Sequence, residues 1–230
     1  MKYPNITSGI FLRRPNRFIA HVEIGGREEI CHVKNTGRCK ELLVPGATVY
    51  LVESDNPARK TRYDLVAVEK ERSGDRLCIN MDSQAPNQLF REWAERGNFR
   101  AGLALLRGET TFGNSRFDYY WETRERRGFV EVKGVTLEEN GVVRFPDAPT
   151  QRGVKHLEEL IRAKEQGYEA TACFVVQMKG MKHLEPNDVT HPEFGAALRR
   201  CAQAGIEIMA LECDVIPGKV EITGAIPVIL

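Results

Sequence analysis

Residues 114–135, NSRFDYYWETRERRGFVEVKGV, alternate between two faces twice, with a charged turn in the middle, and predict a β-hairpin. On the first strand the period of two puts Phe117, Tyr119 and Trp121 on one face and Asp118 and Tyr120 on the other. On the second, Glu131 and Lys133 are two residues apart and point the same way, while Val130 and Val132 point back to the apolar side. Antiparallel pairing then gathers an aspartate, a glutamate and a lysine into one polar patch on a largely apolar sheet. Such a cluster needs a reason, and a divalent cation supplies one.

The material around the hairpin is that of an ordered globular protein. The 230 residues are 42% hydrophobic and 28% charged, enough for one large domain or two small ones. Net charge is +1, but residues 1–62 carry 11 Lys and Arg against 6 Asp and Glu, a bias that suits an anionic partner. Six cysteines show neither C-x-x-C nor zinc spacing. The N-terminus has no continuous apolar segment, because Arg13, Arg14 and Arg17 interrupt it, and no apolar run is long enough for a bilayer. A reduced, cytoplasmic protein with no membrane partner is the expectation.

Residues 1–16, with Pro4, Gly9 and Pro15, read as an irregular lead-in. Five strands follow: Arg17–Ile24, with Phe18, Ala20, Val22 and Ile24 on one face; Arg27–Val33 after the Gly25-Gly26 turn; Ala47–Glu53; Arg62–Glu69; and Arg76–Met81 after the turn Ser73-Gly74-Asp75. NTGRCKELL (35–43) holds one helical turn. Five short strands with one small helical insert fit an OB-fold-like β-barrel.

From Met81 to Asn87 the texture becomes that of a linker, which divides the chain into residues 1–83 and 84–230. Gln88–Arg96 predicts a helix, Leu103–Leu106 a short apolar segment, and Val142–Phe145 a strand extending the hairpin's sheet. Thr150 caps a helix over Gln151–Gln166 with Val154, Leu157, Leu160 and Ile161 as its buried stripe and Gly167 as its stop. CFVVQM (173–178) reads as a central strand buried on both faces. A helix from Pro192 to Ala204, a strand over Ile206–Val215 and at most a short terminal hairpin complete a mixed α/β sheet flanked by helices.

Glu-x-Lys alone says little: with 24 Glu and 11 Lys, roughly one is expected by chance. Its setting, opposite Asp118 and among apolar neighbours, is what singles it out. Two carboxylates, with the main-chain carbonyl of Val132 and waters, can hold Mg²⁺ (or Mn²⁺) in octahedral oxygen coordination. Lys133 beside them can orient a water and stabilise charge building on a phosphodiester under attack.

Asp118 with Glu131-x-Lys133 on adjacent strands resembles the PD-(D/E)XK nuclease core. NTGRCKELLVPG (35–46), NSRFDYYW (114–121), GFVEVKGVTL (128–137), FPDAPTQRGVKHLEEL (145–160) and HPEFGAAL (191–198) resemble the sugar fermentation stimulation protein (SfsA) family along the whole chain. The resemblance implies an N-terminal OB-fold, a C-terminal nuclease-like domain, DNA as partner, and a bacterial role in regulating sugar, particularly maltose, metabolism. It implies Asp118, Glu131 and Lys133 as the catalytic set of a metal-dependent deoxyribonuclease, or a DNA-binding regulator that keeps the fold without using it. The motif's leading proline is missing, since Phe117 precedes Asp118. Nuclease folds of this type often add an upstream helical glutamate, for which Glu92 and Glu95 are candidates, and a polar side chain from the following helix, where Gln151, Arg152 and His156 stand. His156, beside the helix stripe, reads more readily as a surface histidine than as a catalytic one.

Candidate DNA contacts on the barrel are Arg13, Arg14, Arg17, Lys34, Arg38 and Lys40, with Phe11, Phe18, Tyr50 and Tyr63 as aromatic companions. Asn35-Thr36-Gly37-Arg38 could offer main-chain N–H groups to a phosphate. A sugar-binding enzyme lacks support: neither a Gly-rich nucleotide loop nor a Ser-His-Asp signature is present.

Overall fold

The first sixteen residues, expected to be irregular, supply an inner strand of the barrel in the computed structural model, which describes residues 1–35, 37–72 and 74–230. Strand β1 (Ile6–Asn16) pairs with both β2 (Ile19–Ile24) and β4 (Thr48–Glu53). Two features hid it. The β1–β2 register slips between Phe11 and Arg13 and again before Asn16, which breaks the period of two. Gly9 sits where a Cβ would lie 2.5 Å from Val22 Cγ1 and 2.8 Å from the Glu23 carbonyl oxygen, so the close strand crossing demands glycine.

β3 (Arg27–Val33), β5 (Tyr63–Arg72) and β6 (Asp75–Asn80) complete a sheet ordered β3-β2-β1-β4-β5-β6, giving six strands where five were expected. The parallel pairing of Cys31–Val33 with Tyr63–Leu65 closes it into a barrel. Ala20, Val22, Val49, Leu51, Leu65 and Val68 fill the interior. Phe18, assigned to that face by alternation, lies outside it at 45% exposure, with the Arg17 guanidinium 4.8 Å from its ring centre. The expected helical turn is present as Leu43 N–H bonding the Cys39 carbonyl. Thr36 and Ser73, and hence the turns Asn35–Arg38 and Ser73–Asp75 as wholes, lie outside the described residues.

Helix α1 covers Ala85–Trp93, three residues earlier than expected because Pro86 suits the first helical turn, and runs into a π-type turn, Ala94–Asn98. β7 (Leu105–Phe112), β8 (Ser115–Glu122) and β9 (Arg127–Val135) follow. β10 (Leu137–Glu139) and β11 (Val142–Phe145) do not extend the hairpin's sheet. They form a separate three-stranded sheet with β13 (His183–Pro186), parallel to β11.

Helix α2 (Gln151–Glu165) begins as read, with the Thr150 hydroxyl accepting the Gly153 N–H at 3.0 Å, and Gly167 turns the chain at φ +85°. Of the expected stripe Leu157 and Leu160 are fully buried and Val154 and Ile161 partly so, while Gly153, His156, Glu159 and Ala163 are buried beside them; Leu160→Ala is expected to cost about 2–5 kcal/mol. β12 (Glu169–Val176), α3 (Pro192–Gln203), β14 (Glu207–Ile216) and β15 (Lys219–Ile226) complete the chain. β15 is a full eight-residue strand rather than a remnant hairpin, and it brings Lys219 to Lys2.

The second large sheet runs β15-β14-β12-β9-β8-β7, parallel through β9, β12 and β14 and antiparallel at both edges. Helices α2 and α3 cover one face and α1 the other, the layout of the mixed α/β unit expected from the sequence. A buried polar seam joins it to the barrel. Gln177 Nε2 donates to Asn80 Oδ1 at 2.7 Å and to the Asp82 carbonyl at 3.0 Å, while Asn80 Nδ2 donates to Tyr3 Oη at 3.0 Å.

Candidate functional site

The regular hairpin ladder stops one residue short of Asp118. Its register runs from Glu122 opposite Arg127 to Tyr119 opposite Val130. Beyond that rung the Asp118 carboxylate takes over: Oδ2 accepts the Val132 N–H at 2.7 Å, and Oδ1 accepts from Asn87 Nδ2 at 2.9 Å. On the other side β7 also skips a pairing, where Glu109 adopts φ +51°. The two breaks rotate β8. Phe117, expected beside Tyr119 and Trp121, instead packs on Phe112 and Phe129 on the face toward α2, while Tyr119 and Trp121 remain under α1.

Glu131 and Lys133 do share a face, and Lys133 Nζ donates to Glu131 Oε1 at 2.5 Å. His156, from the second turn of α2, donates from Nδ1 to the same oxygen. Arg152 Nε, one turn back, donates to His156 Nε2 at 3.4 Å, which makes Nε2 the acceptor and leaves the ring proton on Nδ1. Glu131 is 2% and His156 5% exposed, so His156 is neither a surface histidine nor free to rotate.

Both donors converge on Oε1. Glu131 Oε2 is buried with no hydrogen-bond partner, and a buried carboxylate oxygen left bare is costly. Burial and the neighbouring Glu131 charge hold the Asp118 carboxyl above the usual range. Burial pushes Glu131 the same way, but the His156 bond and the Lys133 charge outweigh it and leave Glu131 below the usual range.

The other sequence candidates divide. Arg14 donates to the carbonyls of Arg38 at 2.8 Å and of Arg17 and Asn35 at 2.7 Å, acting as a buckle between loops. Lys34 is paired with buried Asp82 at 2.8 Å, and Arg13 with Glu28 at 2.5 Å. Gln151 contacts His191 at 3.3 Å. Arg17, Arg38 and Lys40 are exposed, and of the aromatic candidates Phe11 and Tyr63 are buried while Tyr50 donates to Glu69 at 2.5 Å. Glu92 binds the Met1 ammonium at 2.6 Å, and Glu95 stands exposed in the π-type turn. The helical side chain that reaches Asp118 is Asn87, missed because DSQAPNQ reads as a linker. The Asn87 main-chain carbonyl also accepts the Tyr119 hydroxyl at 2.8 Å, which fixes this end of α1 on β8.

Among the described residues no cluster of three or more His, Cys, Asp or Glu side chains is placed to hold a metal ion. Asp118 and Glu131 are therefore a two-carboxylate site, the number with which Mg²⁺, keeping much of its water, is commonly held. The bare, buried Glu131 Oε2 and the charge-crowded Asp118 fit such an ion, since a cation would satisfy the first and relieve the second.

Comparison with known proteins supplies the lineage. The family model "SfsA N-terminal OB domain" matches residues 12–79, and "Sugar fermentation stimulation protein RE domain" matches residues 84–219. The chain belongs to the SfsA family. It is similar to the sugar fermentation stimulation protein homologues of Ruminiclostridium cellulolyticum, at 57% identity covering 96% of each chain, and of Clostridium beijerinckii, at 54% identity over the whole of both. Among solved structures, SfsA of Pyrococcus furiosus in complex with Ca²⁺ superposes with a TM-score of 0.90 at 29% identity, covering 100% of this chain and 98% of that one. No helix among the described residues is long and apolar enough to cross a membrane.

Proposed function

We propose that this SfsA-family protein is a divalent-metal-dependent DNA nuclease centred on Asp118, Glu131 and Lys133. The observation that carries the proposal is the buried, unpartnered Glu131 Oε2 beside a second, charge-crowded carboxylate. The Ca²⁺ complex of the Pyrococcus furiosus relative supports a divalent ion, and we assign Mg²⁺ or Mn²⁺ as the working ion. Asp118, Glu131 and the main-chain carbonyl of Val132 would hold it. Once bound, the ion supplies Lewis-acid polarisation of the scissile phosphate and a more acidic water.

The chain's own groups do the rest. Asn87 and the Val132 N–H fix the Asp118 carboxylate. His156, itself steadied by Arg152, pins Glu131 Oε1 so that Oε2 stays available. Lys133 orients the attacking water and stabilises negative charge on the phosphate as it is attacked. In this reading residues 1–83 hold the DNA and residues 84–230 carry the centre. The test is purified protein with plasmid DNA and Mg²⁺ or Mn²⁺. Cleavage is expected, and cleavage undiminished in Asp118→Ala and Lys133→Ala would refute the assignment.

A second reading is a sequence-nonspecific DNA-binding regulator of sugar-metabolism genes that does not cut. Its support is the basic bias of residues 1–62, with 11 Lys and Arg against 6 Asp and Glu. It predicts metal-independent binding that weakens steeply with salt, and no cleavage with either ion.

A further inference from the structure

On the barrel, well away from the carboxylate pair, lies a concave pocket of about 670 Å³. Its apolar lining comes from Phe11, Leu12, Leu43 and Pro45, and its charged lining from Arg13, Arg14, Arg17, Arg38 and Lys40, with no carboxylate among the lining residues. The two kinds of arginine are distinct in role. Arg14 is consumed in three bonds to main-chain carbonyls, which tie the β1–β2 turn at Arg17 to Asn35 and to Arg38. The walls of the pocket are thus set before anything enters. Arg17, Arg38 and Lys40 are exposed at its rim, and Phe18, the next residue in the chain, is exposed with its ring against the Arg17 guanidinium.

Duplex DNA offers a protein phosphates and groove edges, and its base faces are hidden in the stack. A concave apolar floor ringed by cations suits instead a nucleotide whose base is unpaired: the base covers the floor, and the rim cations take the flanking phosphates. The volume is within the range of pockets that enclose small organic groups. Its position supports the same occupant. The pocket shares Gly37 and Ala148 with a cleft of about 330 Å³ between barrel and α/β unit, whose far end is lined by Gly134, one residue from Lys133, and by Thr150, the cap of α2. A strand seated in the pocket can thereby run on into this cleft, which borders β9 at the residue after Lys133.

We infer that this pocket binds an unpaired nucleotide of single-stranded DNA and that it selects single-stranded or frayed DNA over intact duplex. The inference rests on the DNA reading above and names the form of its substrate.

The test is fluorescence anisotropy in EDTA, with a labelled oligothymidylate and a blunt duplex of equal length, on the wild type, Arg38→Ala/Lys40→Ala and Phe18→Ala. All three altered side chains are exposed and leave the barrel interior intact. The single strand is expected to bind more tightly than the duplex. The double variant should lose roughly tenfold in single-strand affinity and lower the slope of log affinity against log salt by about 1.4, the value for two phosphate contacts on a single strand. Phe18→Ala should lose roughly tenfold for the single strand alone. Equal affinity for both forms, unchanged in the variants, would overturn the pocket and leave the DNA reading standing. Binding of neither form would overturn both.

Discussion

Two buried glutamates sit on consecutive strands of this protein, in different sheets, and are built to opposite ends. Glu138, on β10, is 3% exposed and has both oxygens answered: Oε2 accepts from Lys70 Nζ at 2.6 Å, Oε1 accepts the Gly141 N–H at 2.7 Å, and Arg72 stands 4.0 Å from Oε1. Glu131, on β9, is as deeply buried, yet both of its donors crowd onto one oxygen and the other is bare. Both carboxyls are held below the usual range against burial, Glu138 chiefly by Lys70 and Glu131 chiefly by His156. The charge state is the same, and what differs is spare coordinating capacity. Glu138 uses its capacity to fasten β10 to the barrel strand β5, whereas Glu131 keeps one oxygen in reserve.

The largest expected difference between the two is in catalysis. Asp118→Ala and Glu131→Gln should each lower plasmid cleavage at least about a hundredfold, the scale on which a group stabilising transition-state charge acts. Glu138→Gln should leave the rate within a factor of about two, because it alters nothing in the carboxylate site. Equal losses in Glu131→Gln and Glu138→Gln, measured as single-turnover rates, would erase the distinction.

Stability should reverse the order. Glu138→Ala strands Lys70 and the Gly141 N–H and is expected to cost about 2–4 kcal/mol in urea denaturation. The pair's contribution also has a defined sign with pH. The folded pKa of Glu138 lies below its unfolded value near 4.3, so its stabilisation is complete above that value and lost as pH falls through the folded pKa. Wild type and Glu138→Ala should therefore converge in stability in acid.

Asp118 carries the opposite sign. Its folded pKa is raised by burial and by Glu131, so it costs stability as pH rises from its unfolded value near 3.9 through the folded one. Asp118→Asn keeps an oxygen for the Val132 N–H. It is expected to be at least as stable as wild type at neutral pH, and its advantage should shrink on acidification. Chemical denaturation at several pH values measures this, and a variant clearly less stable at neutral pH would contradict the picture of a strained carboxylate.

The contrast also marks what could be read from residues alone. The β8–β9 hairpin was legible because Val130 and Val132 keep a strict alternation, and α2 because Thr150 and Gly167 punctuate a clean apolar stripe. Phe117 was misplaced because the Asp118 carboxylate replaces a rung of the ladder, and a side chain doing a backbone's work leaves no trace in periodicity. Strand β1 was missed for a related reason: two register slips and the forced Gly9 break the alternation that would reveal it. Asn87 and His156 reach the site across tertiary contacts, from a segment that reads as linker and from a helix flank that reads as surface. The residue types of the site are visible in sequence, but the bare oxygen that distinguishes Glu131 from Glu138 exists only in three dimensions.

That oxygen gives the most direct test, calorimetric titration of Mg²⁺ and Mn²⁺ into wild type, Glu131→Gln and Glu138→Gln in the absence of DNA. The expected result is a saturable site in wild type and Glu138→Gln that is lost, or weakened at least about tenfold, in Glu131→Gln. Metal binding that is unchanged in Glu131→Gln would contradict the account.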